Sequence, residues 1–229
     1  MDLPRAGRGT GPGVIAPDGS PVEFYALMAA EDEPEIVAEA IGDHGSILEL
    51  GSGPGRMTNA LVDDGYEVVA VDECAEMLAR VHGAERVCAR IETLALGRRF
   101  DCVILPSFLI NTPDADQRAA FLATCRRHVR ADGCVLIEWQ PAREQDSFQA
   151  GEGRTLRGLR VTMVSLEHPA LDLATTTMQY QAIGQTWTQS FTSRRLTDDD
   201  LAASLDQADL ALDRYLTDDL TWLRAVPRP

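Results

Sequence analysis

The chain contains no lysine: all 21 of its basic residues are arginine, set against 36 aspartates and glutamates. Without a lysine amine, Schiff-base chemistry and a P-loop lysine on a phosphate are both excluded. The difference, 21 − 36, leaves a net charge of −15. Nucleic-acid binding needs an excess of cationic side chains to neutralise phosphates, so nucleic acid is not an expected partner. No apolar run approaches the roughly 20 residues of a membrane-spanning helix. Residues 1–13 are rich in Gly and Arg and hold no apolar segment of the kind a secretory leader carries. The expected setting is cytoplasmic and reducing, with no membrane partner. The five cysteines, Cys74, Cys88, Cys102, Cys125 and Cys134, are odd in number and form no Cys-x-x-Cys pair. Most fall in apolar stretches, so they read as small buried hydrophobes, and no metal site is expected.

What is present suits a globular chain of 229 residues: 45% are hydrophobic and 25% charged, enough for one domain with an elaboration. Residues 1–22, rich in Gly and Pro, read as a mobile or loosely docked arm. Over 24–41 the spacing of Leu27, Met28, Ile36, Val37 and Ala40 predicts two helical pieces, the second opened by acids and Pro34. Strands are then expected at 47–50, 67–71, 86–88, 100–105 and 134–138. Helices are expected at 57–63, 75–82 and 113–129, the last capped by Thr112. This alternation predicts an α/β fold with a doubly wound, mostly parallel sheet. Over 151–195 the pattern turns to strand-like alternation (157–166, 172–183, 186–191) without a long helix, which reads as an antiparallel insertion. A last helix at 197–208 and a terminal hairpin complete 196–229.

The most informative segment is Ile47-Leu48-Glu49-Leu50-Gly51-Ser52-Gly53-Pro54-Gly55-Arg56, a strand running into three alternate glycines and then a helix. Glycines here permit a tight turn, close approach of backbone to ligand, and N–H groups aimed at bound oxygens. A dinucleotide fingerprint would need glycine where Arg56 stands, which weakens a nicotinamide or flavin reading. The next strand, Val68-Val69-Ala70-Val71-Asp72, ends in a carboxylate that can accept hydrogen bonds from both hydroxyls of a ribose held over the glycine loop. Strand, loop, helix, strand and acid together describe a nucleoside site.

On these residues the chain resembles the class I S-adenosylmethionine-dependent methyltransferases of small molecules, similar to aminosugar and natural-product N- or O-methyltransferases. Glu49-Leu50-Gly51-Ser52-Gly53-Pro54-Gly55 matches the first signature of that family, Glu/Asp-x-Gly-x-Gly-x-Gly. Asp72-Glu73-Cys74-Ala75-Glu76-Met77-Leu78 is similar to the second. Residues 100–107 and 133–138 resemble the fourth and fifth strands, so the likeness spans about 47–227, interrupted by the insertion. It implies a seven-stranded Rossmann-like sheet and S-adenosyl-L-methionine as cofactor. It further implies that Glu49 orients the glycine loop, that Gly51, Ser52 and Gly53 admit the methionine portion and ribose, and that Asp72, followed by Glu73, holds the ribose. By the same resemblance Met77 covers one adenine face and the Ile91-Glu92 backbone meets its polar edge. Arg90 stands where relatives often carry an acid. Pro106 and Ser107 fall beside the reacting methyl. Residues 46–150 become a cofactor-binding core and 23–45 a helical lid in which Tyr25 contacts cofactor or acceptor. The antiparallel insertion becomes a cap that can also support a homodimer.

Methyl transfer is displacement at a carbon already activated by its sulfonium leaving group, so positioning supplies much of the catalysis and a general base is optional. Two candidate bases are His168, in Glu167-His168-Pro169 within the insertion, and Glu138, at the carboxyl end of the fifth strand, where open α/β sheets hold their ligands. His44 and His82 fall at helix ends or turns. His128 falls in the last turns of a helix, where a cation favours the dipole. Trp139, Trp187 and Phe191 are candidate linings for an apolar acceptor pocket, although alternation at 187 and 191 favours core. Leu105-Pro106-Ser107-Phe108 replaces the Asn/Asp-Pro-Pro-aromatic sequence of enzymes that methylate amino groups of DNA bases or glutamine, so a small-molecule acceptor is expected. The alternatives on the same fold are a cyclase, a nicotinamide oxidoreductase, or a catalytically silent cofactor-binding subunit.

Overall fold

The computed structural model describes residues 7–42 and 44–228. Strand β1 (Arg8–Thr10) and helices α1 (Val22–Tyr25) and α2 (Glu33–Ile41) come first. Alternating units follow: β2 (Ser46–Leu50), α3 (Arg56–Asp63), β3 (Glu67–Asp72), α4 (Ala75–Leu78), β4 (Glu85–Cys88), β5 (Phe100–Leu105), α5 (Ala115–His128) and β6 (Val129–Glu138). A short helix α6 (Ala142–Gln145) leads into β7 (Gly153–Leu156), β8 (Leu159–Ala170), β9 (Leu173–Ala182) and β10 (Gln185–Arg194). The described chain closes with α7 (Asp198–Gln207), β11 (Leu210–Tyr215) and β12 (Trp222–Pro227).

The main sheet has seven strands in the order β11-β12-β6-β5-β2-β3-β4. From β6 to β4 the neighbours are parallel, and β12 inserts antiparallel against β6. Its central strands are continuous apolar runs because both faces are covered by helices. Alternate residues feed opposite layers: Leu48, Val103 and Val135 join Phe121 and Leu205 on one face, while Ile47, Ile104 and Leu136 join Met57 and Leu61 on the other. Ile47, Leu48, Leu50, Ile104 and Leu105 are fully buried, each contributing about 1.5–3 kcal/mol. Strand order reverses between β2 and β5, which opens a crevice at their carboxyl ends. No helix among the described residues is long and apolar enough to cross a membrane.

The second sheet is antiparallel and five-stranded, β1-β10-β9-β8-β7. Phe24 of α1, Tyr180, Ala182 and Trp187 pack together on one side. On the other, hydroxyls pair across strands: Thr10 with Thr188 at 2.6 Å, Thr175 with Thr192 at 2.9 Å, and Thr177 with Ser190 at 2.7 Å.

Three expectations need correction. Residues 1–6 of the expected arm lie outside the described residues, but 7–22 are docked. Arg8–Thr10 pairs with Thr188, Gln189 and Ser190, Ala16 and Val22 are buried, and Gln189 Nε2 donates to Ser20 Oγ at 3.0 Å. An open edge of β10 recruits the arm through backbone pairing, to which Gly and Pro content is blind. Helix α5 is capped by Asp114, whose carboxylate accepts the Asp116 and Gln117 N–H groups at 2.9 and 3.2 Å, while the Thr112 hydroxyl bonds Gln117 instead. Helix α4 ends at Leu78 rather than at 82; beyond it Asn59 Oδ1 takes the His82 N–H at 3.0 Å.

Candidate active site

The glycine loop begins where β2 ends and is pinned to the neighbouring strand, with Val71 O accepting the Gly51 and Ser52 N–H groups at 2.8 and 2.9 Å. Gly51 has φ of 73°, and a Cβ on it would come within 2.7 Å of Leu109 Cδ1, so no other residue fits without displacing Leu109. Asp72, at the end of β3, uses one carboxylate oxygen for the Gly53 N–H and the other for the Cys74 N–H, both at 2.8 Å. It therefore shapes the loop itself. Glu73 beside it is half-buried, its carbonyl taking the Cys88 thiol at 3.6 Å. Ser52 is buried and its hydroxyl has no hydrogen-bond partner among the described residues.

Two carboxyls at this edge are displaced upward. Glu49 is 2% exposed and its carboxyl is pushed up to about 7 by burial, against the Thr58 hydroxyl that donates to it and the nearby Arg56 charge. Glu138, half-buried at the end of β6, is likewise pushed up to about 7 by burial. Its Oε2 accepts the Ser107 N–H at 2.5 Å, which together with the nearby Arg56 charge opposes the shift, while the carboxylates of Glu33 and Asp32 add to it. Arg56, the first residue of α3, pairs with Glu33, the first of α2. Burial works against ionisation of Glu33, yet the Arg56 guanidinium holds its carboxyl below the usual range. Two residues before Glu33, Glu31 reaches Arg154 of β7 at 3.4 Å.

The opposite end of the crevice is braced by α5. Ile91 is buried and its carbonyl accepts the Thr124 hydroxyl at 2.9 Å. Glu92 Oε1 accepts from Gln117 Nε2 at 2.8 Å and from Arg90 Nη2 at 3.1 Å, so Arg90 serves its neighbour rather than replacing the missing acid. His128 is buried, with Nδ1 against Thr124 O at 2.8 Å and Nε2 accepting the Leu96 N–H at 3.1 Å. Only the neutral Nδ1–H ring satisfies both, and burial lowers its proton affinity. The expected helix-end cation is thus a neutral clip.

Met77 is 3% exposed and packs with Ala16, Val22 and Cys74 under the docked arm. Tyr25 touches that cluster and turns its hydroxyl to the cap, donating to Gln189 Oε1 at 3.0 Å beside Tyr180 OH, which donates to the same oxygen at 2.9 Å. Pro106 is buried and Ser107 exposed at the end of β5. Of the two base candidates, Glu138 is in the crevice, whereas His168 is exposed near the β8–β9 hairpin tip with no ring hydrogen bond among the described residues. Trp139 is fully buried, its indole N–H on Leu220 O at 2.6 Å, and Trp187 is 1% exposed with its indole on Pro12 O at 2.8 Å. Both belong to the packed interior rather than to a pocket lining, and Phe191 is half-buried. The Glu33–Arg56 pair escaped sequence reasoning, since each residue had a sufficient local explanation.

The loop thus combines a positive-φ turn at Gly51, a buried hydroxyl at Ser52 without a partner among the described residues, and carboxylates at two strand ends. Residues 48–137 match the family model described as a methyltransferase domain. Among solved structures, an S-adenosylmethionine-dependent methyltransferase from Clostridium acetobutylicum ATCC 824 has a TM-score of 0.72 at 13% identity, covering 90% of this chain and 94% of that one. The sugar N-methyltransferase KedS8 from Streptoalloteichus sp ATCC 53650 has a TM-score of 0.66 at 20% identity, covering 89% and 88%. CalS10, an amino pentose methyltransferase from Micromonospora echinaspora solved with its cofactor bound, has a TM-score of 0.67 at 19% identity, covering 90% and 92%. No curated protein matches the sequence. Residues 48–137 thus carry a methyltransferase domain, and the chain as a whole shares the Rossmann-like fold of these S-adenosylmethionine-dependent methyltransferases.

Proposed function

We propose that the chain transfers the methyl group of S-adenosylmethionine to a nitrogen of a small amine acceptor, with Glu138 receiving the acceptor's proton. The observation that carries this reading is the Glu138 carboxyl, held at about 7 at the end of β6 with Glu33 and Asp32 near it. With Glu33 neutralised by Arg56, the Glu138 and Asp32 carboxylates attract an ammonium ion, and a carboxylate of raised proton affinity is the better acceptor of the proton that must leave before a nitrogen lone pair is free. The bound cofactor supplies an electrophilic methyl on a sulfonium centre. The chain's own residues then have to hold and orient. In this reading Asp72 takes the ribose hydroxyls, the Ser52 hydroxyl and the Gly51 and Gly53 backbone meet the methionine portion, and Glu49 meets its cationic amino group. Met77 and the Ile91-Glu92 backbone flank the adenine, α1 and α2 form the lid, and the second sheet caps the acceptor. The sugar N-methyltransferase and amino pentose methyltransferase among the similar structures support nitrogen over oxygen by analogy.

Calorimetry with S-adenosylmethionine, S-adenosylhomocysteine and NAD, followed by labelled methyl transfer to a panel of small primary amines and phenols, tests the proposal. Binding of the two sulfur nucleosides but not NAD, with label in the amine products, is the expected result. Label appearing only in phenols overturns the choice of nitrogen, and binding of NAD alone overturns the cofactor assignment.

A further inference from the structure

At the exit of β5 the backbone is held against its preference. Ser107 and Phe108 have φ of 58° and 56°, two successive residues with side chains in the left-handed region, where a Cβ crowds the following carbonyl. The turn is fastened on three sides. Glu138 Oε2 accepts the Ser107 N–H at 2.5 Å, and Phe108 O accepts the Asn111 N–H at 2.8 Å. Asn111, 2% exposed, commits its whole side-chain amide to the same task. Its Nδ2 donates to Gln140 O at 2.9 Å and to Arg194 O at 3.1 Å, and its Oδ1 accepts the Gln140 N–H at 2.8 Å. The turn is thereby tied both to the end of β6 and to the end of the cap strand β10.

The strain sends neighbouring side chains in different directions. Leu109 lies against Gly51, and Ile110 is fully buried. Phe108 remains 38% exposed. Glycine would satisfy the same backbone without strain, so packing does not account for a phenylalanine here. A strained position that keeps an aromatic ring partly in water, beside the cofactor loop and one residue from the Glu138 contact, points to ligand contact.

We propose that Phe108 is a specificity-determining residue, its ring forming a wall of the acceptor site and receiving the acceptor's ammonium group by cation–π contact, with Glu138 holding the ring in place through Ser107. This rests on the amine reading above. The quadrupole of the ring favours a cation over a neutral group of the same shape. Full-length protein saturated with S-adenosylhomocysteine is titrated with benzylammonium and with benzyl alcohol by ligand-observed NMR, for wild type and Phe108→Leu. Wild type prefers the cation, and the leucine variant weakens benzylammonium by roughly five-fold while leaving benzyl alcohol and S-adenosylhomocysteine unchanged. Absence of that preference in wild type, undiminished benzylammonium binding in the variant, or an equal loss of S-adenosylhomocysteine each overturns the proposal. Phe108→Gly also melts above Phe108→Ala by roughly 2–4 °C, the reverse of the usual order, and the usual order would remove the strain argument. A protein with this binding pattern that nevertheless methylates phenols keeps the cation contact and loses the amine-transfer reading.

Discussion

The two sheets are built to different physical requirements. In the seven-stranded sheet the crevice is lined by backbone and by acids at strand ends: Gly51 and Ser52 pinned to Val71 O, Gly53 to Asp72, Ser107 to Glu138. Each position answers to a conformational or hydrogen-bonding need that few residue types meet. The five-stranded cap offers aromatic side chains on one face and paired hydroxyls on the other, and its strands tolerate exchange as long as alternation persists. Substitutions in the first sheet should therefore act on cofactor binding and chemistry, and those at exposed cap positions should act weakly.

The largest effect is expected at Gly51. Gly51→Val needs a left-handed β-branched residue with its Cβ driven into Leu109, and S-adenosylhomocysteine affinity should fall by roughly 100-fold or more, about 3 kcal/mol. Calorimetry beside circular dichroism distinguishes this from unfolding. Next is Glu138→Gln, which retains an acceptor for the Ser107 N–H but cannot take a proton, and kcat should fall by roughly 100-fold. With the Glu138 carboxyl at about 7, wild-type kcat rises as pH passes through that value, because the base is active only when ionised. The glutamine variant loses that limb of the profile. Asp72→Ala comes third: it removes the carboxylate that accepts from Gly53 and Cys74 and should weaken the cofactor by about 1.5–3 kcal/mol without unfolding the domain.

This difference between the sheets also explains what could be read in the sequence. The order of strand, glycines, helix, strand and acid was legible because Gly51, Gly53 and Asp72 each serve a local backbone need at fixed spacing, and Glu49 takes the hydroxyl of Thr58 nine residues on. The α/β class followed from the apolar runs at 47–50 and 102–105, which only a sheet covered on both faces buries. Contacts made between distant segments were not legible. Glu33 read as an acid in the first turn of a helix, and nothing at Arg56 announced its partner 23 residues away. Asn111 gave no sign of joining β6 to β10. The charge state of His128 depends on burial that tertiary packing alone decides.

That residue gives a smaller, pH-dependent effect confined to the main sheet. His128 is neutral when folded, its proton affinity lowered by burial from an ordinary value of 6.5. Below that value the unfolded chain binds a proton that the folded chain resists, so the clip contributes stability above about pH 6.5 and loses it as pH falls. Thermal unfolding across this range should show wild type losing stability on acidification more steeply than His128→Gln. Equal slopes would mean that the ring binds its second proton as readily in the folded protein as in the unfolded chain, so that the Leu96 N–H does not hold Nε2 unprotonated.

The smallest effect is expected in the cap. His168 is exposed near the β8–β9 hairpin tip with no ring hydrogen bond among the described residues, so His168→Ala should leave kcat, the acceptor KM and the melting temperature unchanged. The comparison of sheets turns on this variant. If its turnover fell while its stability did not, the hairpin tip would have to close over the crevice during catalysis, and the base would come from the cap. In that case Glu138→Gln should retain the rise in kcat near neutral pH, because the proton would leave by way of the imidazole, and the two variants measured together separate a base fixed in the core from one carried in by the cap.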